Sequence, residues 1–174
     1  MRSLLVLAHY DDEVISCGQY LLDHPGTTIF IACGNDDSRR ASFEKVLDYT
    51  LSHDMLGNFK PLGLNLNNIP TLANVIRATI KVTNIDRVIT HHPLDIHQDH
   101  RIVNQAAQIA LRRLHDVELF YAKNPEGFPF ENPKWDTSIE KSQCAKDLIY
   151  YYNNIKYPPE TDFELYQTVR CFSI

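Results

Sequence analysis

Short apolar runs alternate with helix-spaced stripes along most of this chain, and that alternation limits the fold more than any other feature. Ser3 to Ala8 (SLLVLA) form a continuous apolar run, the pattern of a strand buried on both faces of a parallel sheet. Val14 to Leu22 then place Val14, Ile15, Cys17, Gly18, Leu21 and Leu22 on one helical stripe, which His24-Pro25-Gly26 ends. Thr27 to Cys33 (TTIFIAC), rich in β-branched and aromatic residues, is a second strand. After the polar turn Gly34 to Ser38, a helix carries Phe43, Val46, Leu47, Thr50 and Leu51 at three- and four-residue spacing. Further strands are predicted at Phe59 to Leu64, Arg87 to Thr90 and Glu118 to Ala122.

Helices are predicted at Thr71 to Val82, with Leu72, Val75, Ile76, Thr79 and Ile80 inward, and at Ile102 to Leu114. Asn124 to Pro133 reads as a loop, Ile139 to Ile155 as mainly helical, and Phe163 to Phe172 as either helix or strand. The order predicts an α/β fold, a three-layer Rossmann-like domain with a mostly parallel sheet flanked by helices. A length of 174 residues suits one domain over 1–174, and no linker or internal repeat divides it.

Composition narrows the class. There are 17 basic and 22 acidic residues, and no basic run, which argues against a nucleic-acid binder. No stretch reaches the ~18–20 apolar residues that span a bilayer. Cys17, Cys33, Cys144 and Cys171 are widely spaced with no C-x-x-C, the usage of reduced thiols in an intracellular, cytoplasmic protein. The absence of G-x-G-x-x-G, of a phosphate-binding P-loop and of G-x-S-x-G argues against a dinucleotide cofactor, a P-loop nucleotide site and a serine hydrolase.

Two segments carry chemistry. The first, His9-Tyr10-Asp11-Asp12-Glu13, follows the first strand. Three consecutive acids at the end of a buried strand are costly unless something neutralises them, and a helix dipole offsets only part of the charge. His9 and Asp12 have a spacing suited to biting one metal ion. The second, His91-His92-Pro93-Leu94-Asp95-Ile96-His97-Gln98-Asp99-His100, follows the strand at Arg87 to Thr90 and holds four of the eight histidines. His97 and His100 share a face on a helical turn. Imidazole and carboxylate suit Zn²⁺ with an open water position, and two histidines with one carboxylate also suit Fe²⁺. In an open α/β sheet, ligands bind beyond the carboxyl ends of the strands at the switch in strand order, so both segments are expected at one edge. His91 and His92 read as ordinary loop residues, with a place behind the metal ligands as the alternative; His24, His53 and His115 read as helix-end residues, and Tyr150 to Tyr152 as packing.

These motifs resemble those of the LmbE-like/PIG-L family of metal-dependent N-acetylglucosaminyl deacetylases. His9 to Glu13 is similar to the family's A-H-P-D-D-E signature, with Tyr10 in place of proline, and His97 to His100 is similar to its H-x-D-H, with Asp95 matching an acid that often precedes it. Asp136 to Ile155 resembles the family's late helix, and Glu164 to Arg170 its terminal E-x-F/Y…R stretch. The resemblance implies a zinc-dependent hydrolase, with Fe²⁺ or another divalent cation as alternatives, that removes the acetyl group from an N-acetylated amino sugar or glycoconjugate. It makes His9, Asp12 and His100 the metal ligands and Asp11 the general base. His97 would stabilise the oxyanion, and Asp99 would orient His97 by hydrogen bonding. The family's substrate-contacting arginine maps to Arg40, with Arg39 the alternate. A metal hydrolase of another amide or an ester, or an inactive metal- or sugar-binding module, are the competing readings. A homo-oligomer is compatible with each.

Overall fold

The computed structural model describes residues 1–112, 114, 116–124, 135–152 and 163–169. In chain order the elements are β1 (Ser3–Leu7), α1 (Asp12–Asp23), β2 (Thr28–Ile31), α2 (Asp37–Thr50), β3 (His53–Leu56), α3 (Ile69–Thr83), β4 (Arg87–His91), α4 (Gln98–Leu111), β5 (Glu118–Ala122), β6 (Thr137–Glu140), α5 (Gln143–Asp147) and β7 (Phe163–Val169). Short 3₁₀ turns occupy Leu66–Asn68 and Leu148–Tyr151.

The strands form one seven-stranded sheet in the order β3-β2-β1-β4-β5-β7-β6. Neighbours from β3 through β5 run parallel, and β7 and β6 close the far edge antiparallel. Alternation along β1 divides the core. Leu4 and Val6 join Phe30, Leu72, Ile76, Val103 and Ala107 on the face covered by α3 and α4. Leu5 and Leu7 join Val14, Leu21, Phe43 and Val46 under α1 and α2. Each such side chain contributes roughly 1.5–3 kcal/mol by leaving water. This is the three-layer, mostly parallel α/β architecture that the apolar pattern predicts.

Four elements depart from the sequence reading. The third strand is His53–Leu56, not Phe59 to Leu64. It is an edge strand paired only to β2 and left half open to solvent, so it lacks the apolar run that marks its neighbours. Leu62, in the segment read as strand, instead sits at φ 60° in a turn. Helix α4 starts at Gln98 rather than Ile102, because the His97 side chain accepts the Asp99 N–H and caps the first turn. Val75 on α3 is 38% exposed rather than inward. The single helix read over Ile139 to Ile155 is replaced by β6, α5 and a 3₁₀ turn, and 153–155 lie outside the described residues. Thr137 to Glu140 register against Phe163 to Tyr166, which settles the ambiguous C-terminal stretch as strand over Phe163–Val169. The rest of that stretch, the loop residues 125–133 and His115 lie outside the described residues.

The β6–β7 end also secures α1. That helix is interrupted at Cys17 (φ −141°, ψ 17°), which frees backbone groups on both sides of the break. Lys141 Nζ donates to Ile15 O at 2.6 Å, and the Tyr166 hydroxyl donates to Ser16 O at 3.2 Å. The buried Glu164 carboxylate accepts from the Gln19 and Tyr20 N–H groups. Charged side chains from the sheet edge thus satisfy the groups that the break exposes.

Candidate active site

The switch in strand order falls at β1, where the chain leaves toward β2 on one side and returns to β4 on the other. The crevice beyond the carboxyl ends of these two strands is where side chains from both can meet. Residues 91 positions apart do meet there: His100 Nε2 lies 3.3 Å from His9 Nδ1.

The turn after β1 is built by its own acids. The His9 N–H donates to Asp12 Oδ2 at 2.8 Å, and the Asp11 N–H donates to Glu13 Oε2 at 2.9 Å. Val14 and Ile15 donate to Asp11 O, which opens α1. Asp11 itself holds φ 101° and ψ −29°, a conformation that costs a non-glycine residue on the order of 1–3 kcal/mol. Tyr10, where the resembling family has proline, is buried; its ring packs on Phe43 and its hydroxyl donates to Gly34 O at 3.0 Å. The side chain anchors what a proline ring would have stiffened through φ.

His9, Asp12 and His100 converge. His100 Nε2 is 3.4 Å from Asp12 Oδ1, and His9 Nδ1 is 3.7 Å from Asp12 Oδ2. Ligands about 2.0–2.2 Å from a tetrahedral ion stand about 3.3–3.6 Å apart, which the His9–His100 and His100–Asp12 separations match, while His9 faces the second Asp12 oxygen. The donor set, two imidazoles and one carboxylate, suits a borderline divalent cation. His97 also brings a ring nitrogen within 4.8 Å of those of His9 and His100, and His91 within the same distance of Asp12 and His100.

Carboxylates stand behind both His9 and His100. Asp95 Oδ2 is 3.0 Å from His100 Nδ1, while its Oδ1 accepts from the His97 N–H. Asp99 Oδ2 is 3.0 Å from His9 Nε2, and the same carboxylate accepts the Leu62 and Leu64 N–H groups. Each pair has the carboxylate–imidazole contact that fixes the orientation of a ring able to ligate a metal. The expected Asp99-to-His97 role is therefore corrected. The Asp99 carboxylate is directed at His9, and only its backbone N–H reaches His97, at Nδ1 and 3.2 Å. That contact leaves His97 Nε2 as the protonated nitrogen of the neutral ring.

The two candidate arginines face different surroundings. Arg40 is exposed and paired to Glu44 at 3.0 Å on the helix surface. Arg39 instead donates to Asp11 Oδ2 at 2.7 Å and to Tyr10 O at 3.2 Å. A cavity of about 260 Å³ is lined by His9, Asp11, Asp12, Arg39, His97 and His100, with Asn124 and Pro61 on its wall. A larger groove of about 620 Å³ runs along α4 past Gln98 and Arg101, away from the ligand triad.

Electrostatics separate the adjacent aspartates. Burial pushes Asp12 up, but His100, His91 and His9 outweigh it and hold that carboxyl well below its ordinary range. Burial, reinforced by Asp12, pushes Asp11 up to about 8, with Arg39 opposing. Burial pulls His97 down, and His100 and His9 add to that. His100 is raised to about 9, because Asp12 and Asp95 outweigh its burial. One aspartate is thus held ionised beside the histidines, and its neighbour is the better proton acceptor.

Sequence reasoning passed over three participants. His91 is fully buried, stacks on His100 at 3.8 Å and lies 3.3 Å from Asp12 Oδ2. Its place as the last residue of a buried strand is the signal that marks it. Glu13 is fully buried and bonded to the Tyr152 hydroxyl. Asn124 Nδ2 is 3.3 Å from His100 Nδ1 at the end of β5, in a segment the sequence marks only as the start of a loop.

No protein-family model matches the sequence, and no curated protein matches it. Solved structures do. A triple mutant of a deacetylase in the teicoplanin biosynthetic pathway is 17% identical, with a TM-score of 0.76 over 98% of this chain and 99% of that one. The N,N'-diacetylchitobiose deacetylase of Pyrococcus horikoshii is 12% identical, with a TM-score of 0.73 over 97% of this chain and 84% of that one. The 4-carboxy-2-hydroxymuconate hydratase of Pseudomonas putida is 17% identical, with a TM-score of 0.66 over 100% and 98%. The chain shares its fold with these deacetylases and with a hydratase.

Proposed function

We propose that the chain, read as one domain over 1–174, is a metal-dependent N-deacetylase that hydrolyses the acetamido group of an N-acetylated amino sugar or glycoconjugate. The observation that carries this reading is the convergence of His9, Asp12 and His100, whose ring nitrogens lie 3.3 Å apart with one Asp12 oxygen 3.4 Å from His100 and the other 3.7 Å from His9, beside a cavity-facing Asp11. His9, Asp12 and His100 would hold Zn²⁺, with Fe²⁺ or another divalent cation as the alternatives. An ion bound there supplies Lewis acidity toward the amide carbonyl and toward water.

The side chains do the rest. Asp11 is the general base that takes the proton from the attacking water. Its carboxylate is steadied on the cavity wall by Arg39. The His97 Nε2–H donates a hydrogen bond to the oxygen on which charge develops, and Asp11, carrying the proton taken from water, delivers it to the leaving amine. Asp95 and Asp99 fix the His100 and His9 rings. Of the two candidate arginines, Arg39 lines the cavity, which favours it over Arg40 as the substrate contact. Deacetylation of teicoplanin-type and chitobiose-type compounds by proteins of this fold supports the substrate class. Among the described residues no helix is long and apolar enough to cross a membrane, and the cysteines Cys17, Cys33 and Cys144 carry free thiols. A cytoplasmic enzyme is consistent with both.

The test is acetate release from a panel of N-acetyl sugars, run beside simple esters and unsaturated carboxylic acids with the zinc-loaded protein. Acetate from an amide supports the proposal. Turnover of an ester alone, or hydration of a double bond, replaces it. Asp11→Asn is expected to lose turnover by at least ~10²-fold, at the low end of what general acid–base catalysis contributes, while keeping its metal. His9→Ala is expected to lose both, read by elemental analysis. Near-wild-type rates in Asp11→Asn would remove that residue from its role.

A further inference from the structure

Glu13 is completely buried, yet it is neither a member of the ligand triad nor part of the cavity wall. Both of its oxygens are spoken for. Oε2 accepts the backbone N–H of Asp11 at 2.9 Å, and Oε1 accepts the Tyr152 hydroxyl at 2.5 Å. Tyr152 is itself buried and follows the 3₁₀ turn Leu148–Tyr151, 139 residues further along the chain. Asp11, at the near end of this chain of contacts, has the φ of 101° that a side chain other than hydrogen resists. A strained backbone persists only where its surroundings over-determine it. On the other side of the residue, Arg39 grips the Asp11 carboxylate and the Tyr10 carbonyl.

We propose that Glu13 and Tyr152 are positioning residues, a buried two-link clamp that holds the Asp11 backbone in its left-handed conformation and so aims its carboxylate into the cavity. The use of that carboxylate as a base rests on the function proposed above, whereas the clamp itself does not. The clamp ties the turn after β1 to the segment following α5. It gives this C-terminal segment a part in the site although none of its described residues lines the cavity.

Glu13→Gln keeps both links, since the amide oxygen can accept from Asp11 and the amide N–H can donate to the Tyr152 oxygen. Glu13→Leu removes both at similar volume, and Tyr152→Phe removes only the outer one. Amide hydrogen exchange at Asp11, followed by NMR on zinc-loaded protein, reads the clamp without reference to activity. Exchange is expected to quicken by at least about tenfold in Glu13→Leu, less in Tyr152→Phe and little in Glu13→Gln. Because misplacement by an ångström costs about 10²-fold, kcat is expected to fall by about that factor in Glu13→Leu and by about tenfold in Tyr152→Phe. KM and zinc content stay at wild-type values, and Glu13→Gln restores most of kcat. A merely structural role would not divide kcat from KM in this way. Unchanged Asp11 exchange in Glu13→Leu overturns the clamp, and so does quickened exchange with undiminished kcat. If Glu13→Leu does not fold, Tyr152→Phe carries the same readouts. Were the wild-type protein to release no acetate from any substrate, the proposed activity would fall and the exchange data alone would still decide the clamp.

Discussion

The Asp99 Oδ2 atom stands 3.0 Å from His9 Nε2, on the opposite side of the imidazole from the nitrogen that faces Asp12 and His100. An aspartate of the His97-to-His100 segment therefore contacts the histidine of the other motif. The carboxylate is fixed in turn by the N–H groups of Leu62 and Leu64. Outer carboxylates of this kind set the tautomer and basicity of a ligating imidazole. Asp99→Asn is expected to weaken zinc binding by about 10–100-fold, measured by competition with a chromophoric chelator. Were Asp99 to act through His97, zinc affinity would hold and only turnover would fall.

Arg39 and Arg40 are adjacent in sequence and face different surroundings. Arg39 reaches Asp11 and the cavity; Arg40 pairs with Glu44 in solvent. An exposed i,i+4 pair of this kind contributes little to stability. Arg40→Met is expected to leave both kcat/KM and melting temperature close to wild type. Arg39→Met is expected to lower kcat/KM by tenfold or more, about the loss of one charged hydrogen bond. Steady-state kinetics of the two variants side by side decide the assignment.

How far the sequence led depends on what each element buries. The strands β1, β2, β4 and β5 were legible because they are interior strands and must be apolar on both faces. β3 and β6 were misplaced because edge strands need no such pattern, and His-Asp-Met-Leu and Thr-Ser-Ile-Glu carry none. His9, Asp12 and His100 were legible as a group because the topology sends both strand ends to one edge. Asp99 was assigned to the wrong histidine because two candidate rings flank it and spacing alone favours the one nearer in sequence. Tyr152 gave no signal, since nothing in a run of three tyrosines says which hydroxyl is buried against an acid 139 residues away.

Two glycines beyond the sheet edge bring backbones together next to the site. A Cβ on Gly57 would lie 2.2 Å from Ala32 O, and one on Gly34 would lie 2.7 Å from Gly57 O. Gly34 O is also the acceptor for the Tyr10 hydroxyl. The obstacle at Gly57 is backbone, which cannot step aside as a side chain tip can. Gly57→Ala is expected to destabilise by about 2–3 kcal/mol, the cost of overpacking a rigid contact. That corresponds to a fall of roughly 4–12 °C in melting temperature for a chain of this size, read by thermal unfolding.

Glu13 links stability to pH in a direction that can be worked out beforehand. Burial raises its carboxyl from 4.5 to about 7, although the hydrogen bonds from Tyr152 and Asp11 oppose the rise. The folded protein therefore holds this proton more tightly than the unfolded chain does. Below pH about 4.5 both states are protonated and the group is neutral with respect to folding. Between about 4.5 and about 7 the unfolded chain gives up the proton first, so stability falls as pH rises. Above pH 7 both states are ionised and the loss is complete. Glu13→Gln cannot titrate yet retains acceptor and donor for the same two partners, so it removes this contribution and leaves those of Asp11 and the histidines in place. Melting temperatures of the two chelator-treated proteins, measured from pH 5 to pH 8, are expected to diverge in favour of Glu13→Gln as pH rises, with the change finished just above pH 7. A constant difference across that range would mean that Glu13 ionises at its ordinary value, and that its burial is offset by contacts other than those with Asp11 and Tyr152.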